Sequence, residues 1–325
     1  MSSSALAAPG STFRDLTCFA IGFGTALLVI ASVALSFRRS DIYNVDHWKL
    51  NIRLPPTSMW MNMGYWKTTD NALIHQFDEA CQRLLEEVLS TAGLLPPTAG
   101  TRRAKTDVAV LDLGIGCGDQ TKSLVQLLGS AGRNLHYVGL TNVQAQVNIA
   151  TRLKDNELES KAGVASIEIS LADAAQPSSW SSAIHSTLLA QKAGPSRIPL
   201  FRYAAAELDA SIMAFDLLLS DKATPAQRLI AQAIGVASQC PWGTFLPLAE
   251  YRAQLVGAGF DPELIETRDV TPHVFRGLVD FIDRQAESLS TYGIALTRYR
   301  VFQKVLKFFV ASGVVRAVII VAKRR

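Results

Sequence analysis

The sequence predicts an α/β fold: a largely parallel sheet with helices on both faces, preceded by a membrane-spanning helix. Three observations carry that expectation. From Val108 onward, short aliphatic runs rich in β-formers alternate with helically spaced apolar residues. The first of these runs stops at a glycine-rich turn, GIGCG, that opens into a polar helix start. Far upstream, Leu16 to Phe37 (LTCFAIGFGTALLVIASVALSF) holds no charged residue.

The upstream run sets the organisation of the chain. At about 1.5 Å per residue it is long enough to cross a hydrocarbon core of about 30 Å. A cleaved signal peptide is the alternative, but the run exceeds the usual apolar region of one. Arg14 also sits beside Asp15, where a basic cluster would be expected. Arg38-Arg39 follow directly, which puts the C-terminal bulk on the cytosolic side. The expected division is a tail (1–15), a transmembrane helix (16–37), a linker (38–60) and one globular domain (61–325). The expected location is a membrane, single-pass, with the endoplasmic reticulum one candidate. Much of the +4 net charge lies in Arg38-Arg39 and Lys323-Arg324-Arg325. These short clusters suit an anionic membrane surface and make no nucleic-acid stripe, so no nucleic-acid partner is expected. Cys18, Cys81, Cys117 and Cys240 are far apart and form no CxxC. Neither a disulfide framework nor a metal site is expected.

Within the domain, Ala72, Ile74, Phe77, Ala80, Leu84, Leu85 and Val88 mark an amphipathic helix, ended by Gly93 and Pro96-Pro97. Strands are expected at Val108–Leu113, His136–Thr141, Ala165–Leu171 and Phe215–Ser220, with helices at Asp119–Leu128 and Val143–Leu153. Residues 178–210 hold a helix and a loop without an assigned place. Phe302 to Val310 reads as a core helix in preference to one touching the bilayer. VVRAVIIVA after it is too short for a span, and the final Lys-Arg-Arg reads as a solvated end.

The turn carries the chemistry. A strand ending in Gly114-x-Gly116-x-Gly118 leaves room for a ligand against bare backbone and aims free N–H groups at it. In open α/β sheets, ligands sit beyond the carboxyl ends of strands. A phosphate-binding loop needs Lys after the last glycine, and position 119 is Asp. A dinucleotide fingerprint needs Gly at that same place, and Thr141 stands where its ribose-binding acid would be. A ligand that is cationic at its reactive centre suits Asp119 better. Asp112 would anchor such a ligand or hold the loop's N–H groups. Asp173 would read part of the ligand or cap a helix.

"VLDLGIGCGDQT" resembles motif I of the class I S-adenosylmethionine-dependent methyltransferases. It is most similar to the small-molecule and lipid branch that includes tocopherol, sarcosine and sterol-type enzymes. The resemblance runs from about Met61 to the C-terminus and implies a Rossmann-like methyltransferase sheet. "MNMGYW" looks like the branch's segment that closes over the cofactor, which implies a lid role for Tyr65 and Trp66. "YVGLTNVQAQVNIA" resembles the second-strand motif and maps Gly139, Thr141 and Gln146 to ribose-facing positions, with Val143 replacing the family's Ser. "LADAAQP" resembles the third motif, where Asp173 would accept from the adenine amino group and Ala174 would offer backbone. The implied cofactor is S-adenosyl-L-methionine, bound by Tyr65, Trp66, Asp112, Gly114, Gly116, Gly118, Thr141, Gln146, Asp173 and Ala174. The implied substrate is small, hydrophobic or amphipathic, and lipid-like.

One departure stands out. After "FDLLLSDKA" the family has a helix, an L-x-P-G-G turn and a fifth strand. Here Ala223 passes straight to Thr224-Pro225, so roughly 30–40 residues of a helix–turn–strand unit are missing. The expected sheet is therefore incomplete at strand five. It would close over the gap, pair its last strands differently, or belong to a splice or gene-model product. Gly243 to Pro247 (GTFLP) is a makeshift replacement. The motifs assign no catalytic residue; Ser220, Asp221 and His273 are the nearest candidates. The expected activity is methyl transfer, and the alternative is a degenerate fold that binds cofactor or a partner without turnover.

Overall fold

The computed structural model describes residues 58–95, 106–159, 161, 163–173, 176, 180, 197–238, 240–290 and 294–325. The apolar run 16–37 and Ala174 lie outside them. Among the described residues no helix is long and apolar enough to cross a membrane.

The chain opens with helix α1 (Phe77–Thr91), followed by β1 (Thr106–Leu113), α2 (Asp119–Ser130), β2 (Arg133–Thr141), α3 (Gln144–Leu153) and β3 (Val164–Leu171). Short α4 (Arg197–Arg202) runs on into a π-helical turn, Tyr203–Glu207, and fills part of the stretch left unplaced by the sequence. Then come β4 (Ile212–Leu219), α5 (Pro225–Ala237), α6 (Leu248–Ala258), β5 (Ile265–Asp269), α7 (Thr271–Ser290), α8 (Thr297–Ser312) and β6 (Val315–Ala322). The expected strands and helices all form, with ends shifted by up to three residues. Thr224 starts α5 with a capping box: its hydroxyl accepts from Gln227 N–H, and the Gln227 side chain accepts from Thr224 N–H. Gly259, left-handed at φ 110°, stops α6.

The strands pair differently from the expected single sheet. β1, β2 and β3 form a parallel sheet in that order, while β4, β6 and β5 form a second, with β6 antiparallel to both neighbours. β4 is thus paired directly with the last strand, from Ile212 opposite Ala322 to Leu219 opposite Val315. Successive N–H groups of a strand point to opposite edges. Ser220 N–H meets the Val314 carbonyl on the β6 side, at 2.9 Å. Leu219 N–H therefore points to the other edge, where it meets the Leu246 carbonyl at 2.9 Å. Leu217 N–H, on that same edge, is held by the carboxylate of its neighbour Asp216 at 2.8 Å. β4's outer donors are thus satisfied locally, and no ladder to β1 forms. The GTFLP segment supplies one parallel bridge, Leu219 to Pro247, in place of a strand.

β6 explains why its sequence alternates poorly: it is buried on both faces. Val315, Ala317 and Ile319 join the main core with α1, α2, α7 and α8. Val318, Ile320 and Ala322 face a second cluster with Phe201, Tyr251 and Leu255. Helix α8 is a core helix, with Leu306 and Phe309 inside and Lys304 and Lys307 outside. The C-terminal arginines, read as a free solvated end, are tied down: Arg324 pairs with Asp209 and Arg325 with Asp261.

Helix α1 joins the two sheets through side chains, packing on α2, β4 and β6. Its buried Glu87 is shared between Arg83 of the same helix and Arg268 of β5. Trp66 stacks beside Phe77 and Phe281 at centroid distances of 6.2 and 5.3 Å, and its indole donates to Met63 O. That ring lies so close to α7 that a Cβ at Gly277 would overlap Trp66 Cβ and Cγ. Gly277→Ala is therefore expected to destabilise by about 1–3 kcal/mol through overpacking, against its helix-propensity gain. Gly257→Ala, in α6 with nothing within 4 Å, is expected to be neutral or to stabilise by about 0.5–1 kcal/mol. Urea unfolding of both variants reads the difference.

Candidate functional site

The site is built where β1 and β2 end. Gly114 and Ile115 donate their N–H groups to the same carbonyl, Leu140 O at the end of β2, at 2.7 and 3.2 Å. That pair of bonds turns the chain out of β1. The turn needs left-handed backbone at three places, Gly114 (φ 82°), Gly116 (φ 59°) and Gly118 (φ 98°), where an L side chain is strained. Gly118 is also the N-cap of α2 and abuts Ala150 and Leu153 of α3, so it closes the packing behind the turn.

Above the turn lies a cavity of about 360 Å³. Its floor includes Leu113, Gly114, Gly116 and Cys117; Thr141, Asn142, Gln146, Ala172 and Asp173 form one side, and Asp119 and Gln120 belong to α2. A strap of Met59, Trp60, Met61 and Asn62 forms the remaining wall. The strap is tied at both ends. Met59 N–H donates to the Asp119 carboxylate at 3.2 Å. Asn62 donates to Cys81 O at 3.0 Å and accepts from Gly64 N–H at 2.9 Å. Between them the Met61 methyl fills the space where a Cβ at Gly116 would go. Gln146, buried, accepts from the Thr141 hydroxyl at 2.6 Å and turns its amide toward the Met61 sulfur at 3.5 Å.

Two carboxylates shape the electrostatics. Burial pushes the Asp119 pKa up, opposed by the Met59 N–H bond and by Lys122. Behind the cradle, burial also raises Asp112. Gln120 donates to both its oxygens at 3.0 and 3.1 Å, and Tyr137 OH donates to one at 2.9 Å. Thr121 donates in turn to Tyr137 at 2.7 Å. This network holds the end of β1, β2 and the start of α2 together. Cys117 is pushed up to about 11 by burial and the Asp119 charge, so it is a thiol at neutral pH and a poor nucleophile.

Of the residues singled out by sequence, Gly114, Gly116, Thr141, Gln146 and Asp173 line the cavity. Asp112 and Gly118 stand behind it. Ala174 is outside the described residues. Tyr65 and Trp66 turn into the core: Trp66 N–H donates to His273 O at 2.8 Å, and the Tyr65 ring lies 4.9 Å from the His273 ring. The cavity wall on that side is the strap preceding them, two residues of which fell within the expected linker. Its signal was the unusual spacing of Met59, Met61 and Met63 around Trp60. Neither Ser220 nor Asp221 nor His273 lines the cavity. Ser220 is buried beside β6, and exposed Asp221 faces Arg316 at 3.9 Å.

No family profile and no curated protein sequence matches the chain. Solved structures do. A mycolic acid cyclopropane synthase complexed with S-adenosylhomocysteine and CTAB superposes with a TM-score of 0.59 at 15% identity, over 90% of this chain and 98% of that one. A geranyl diphosphate methyltransferase in complex with geranyl diphosphate and sinefungin gives 0.57 at 12% identity, over 91% and 99%. The [4+2]-cyclase SpnF gives 0.56 at 14% identity, over 89% and 96%. These likenesses establish the fold: a mixed α/β, Rossmann-like methyltransferase architecture.

Tyr137→Phe is expected to cost about 1–3 kcal/mol at neutral pH, because it removes a donor from a buried, ionised Asp112. Asp112's raised pKa means the native state holds more protons than the unfolded one just above the ordinary carboxylate range. Its burial penalty therefore grows as pH rises through that window and is constant above it. Losing the Tyr137 bond raises Asp112 further. The deficit of the variant should thus be largest at neutral pH and shrink as pH falls and Asp112 protonates, as read by urea unfolding across pH.

Proposed function

We propose that this protein is a membrane-anchored S-adenosylmethionine-dependent methyltransferase whose substrate is a small hydrophobic or amphipathic, lipid-like molecule. The observation that supports the reading is the glycine cradle at the end of β1: three left-handed glycines, an acid at 119 and the Thr141–Gln146 pair around one cavity. The residues fit the cofactor. Bare backbone at Gly114 and Gly116 admits its amino-acid portion, the Thr141–Gln146 pair offers polar groups to its ribose, and Asp173 is available to its base. When bound, the cofactor supplies a methyl group on a sulfonium. Asp119 favours a cationic ligand over a phosphate. The strap excludes water from the cavity and must yield at Met61 for the cradle to fill. Asp112, through Gln120 and Tyr137, holds the cradle in shape. The anchor is residues 16–37, with the domain on the cytosolic side as Arg38-Arg39 direct.

The second reading is a fold that binds cofactor without methyl transfer. It is favoured by the direct β4–β6 pairing, which we attribute to loss of a strand-five unit after Ala223, and by the likeness to a [4+2]-cyclase. Calorimetry with S-adenosylmethionine and S-adenosylhomocysteine should show one site. Gly116→Ala should weaken binding about tenfold or more, since left-handed backbone costs about 1–2 kcal/mol for an L residue and its methyl competes with Met61. Absence of binding by the folded wild type would remove both readings. Binding without transfer of labelled methyl to a membrane-lipid extract would select the second.

A further inference from the structure

Helix α5 carries a feature that the proposed chemistry does not use. Its inward side is small: Ala231, Gly235 and Ala237 are buried, and Gly235 abuts Phe245. Gln232 fixes the following loop, donating to Phe245 O at 2.7 Å and accepting from Gly243 N–H at 3.1 Å. At helical spacing, the opposite side presents Ala226, Leu229, Ile230, Ala233 and Val236. Leu229 is 59% exposed, Ile230 46% and Val236 47%. The loop held by Gln232 adds Trp242, 66% exposed. No acid lies anywhere in α5, and its only charged residue is Arg228. The other exposed large apolar side chains, such as Leu73, Leu171 and Val310, sit singly on separate segments, as is ordinary on a protein surface.

We infer that this face, Leu229, Ile230, Val236 and Trp242, rests on a lipid bilayer and seats the domain on the membrane in a fixed orientation. The inference rests on the proposed anchor and deepens it by naming the surface that meets the lipid. Three points choose a bilayer over other occupants. Upstream of Ser58 stand 57 residues, which include the uncharged run 16–37 and a further 20 residues after it. Twenty residues span up to about 70 Å, enough to let any face of a domain this size reach the membrane. The face that settles there is then the one whose burial is most favourable. A second copy is a poorer fit: a face about 20 Å long and about 10 Å wide buries roughly 400 Å² between two copies, well under the roughly 1,200 Å² of a stable interface. Lipid demands no such complementarity. An exposed Trp beside an apolar helix face is also what membrane–water interfaces select.

The test uses the full chain reconstituted in phosphatidylcholine–phosphatidylserine vesicles with a photoactivatable phospholipid, followed by tryptic mass spectrometry. Lipid adducts are expected on peptide 15–38, from the anchor, and on peptide 229–252, from α5 and its loop. The triple variant Leu229→Glu, Ile230→Glu, Val236→Glu should reduce labelling of peptide 229–252 about tenfold or more while leaving peptide 15–38 labelled. Trp242→Ala, a single exposed change, should reduce it less. Thermal unfolding and cofactor calorimetry of the variants verify that the domain is intact. Labelling of 15–38 without 229–252 overturns the docking surface and spares the anchor. Labelling of neither overturns both. Undiminished labelling in the triple variant, or cross-links from 229–252 to a protein segment instead of lipid, also overturns the docking surface.

Discussion

The cradle depends on one doubly used carbonyl. Leu140 O, at the last turn of the β1–β2 register, takes the N–H groups of both Gly114 and Ile115. Those bonds can form only if the backbone after β1 turns sharply, and the turn is open only to glycine at its left-handed positions. Everything around the cavity is arranged to keep that geometry. Asp112 is locked between Gln120 and Tyr137 on one side of the turn, and Gly118 starts α2 on the other. An acid this deeply buried is costly unless its oxygens are satisfied. Asp112 receives three hydrogen bonds from two side chains, which offset part of that cost.

The local pattern made much of this legible. Strand and helix positions followed from period and turn residues because β1–β3 and their helices obey one repeating rule, strand then covering helix. Gly114, Gly116, Thr141, Gln146 and Asp173 were reachable because each lies at the carboxyl end of a strand or just beyond it, where ligands gather in such folds. The strap was not reachable in the same way. Its role depends on a contact across the chain, Met59 N–H to Asp119, sixty positions apart, and no local period announces it. Tyr65 and Trp66 showed the converse. Aromatic residues beside a motif are attractive as ligand contacts, yet their rings were claimed by Phe77, Phe281 and His273.

Strand pairing was the least legible level. The aliphatic run of β4 is as compatible with a parallel partner as with an antiparallel one. The choice went to β6, which offers eight residues in continuous register. The opposite edge of β4 spends its donors on Asp216 and Leu246. A side chain that folds back on its own strand is invisible to any argument from hydrophobic alternation.

That division has a consequence for cooperativity. Hydrogen bonds make each ladder stiff within itself, but between β1 and β4 the connection passes through the side chains of α1 and its neighbours. The molecule is thereby a pair of stiff plates glued by a greasy helix. Backbone amides in the two plates are free to exchange with solvent at separate opening energies, and α1 is the seam whose loosening would let one plate melt ahead of the other.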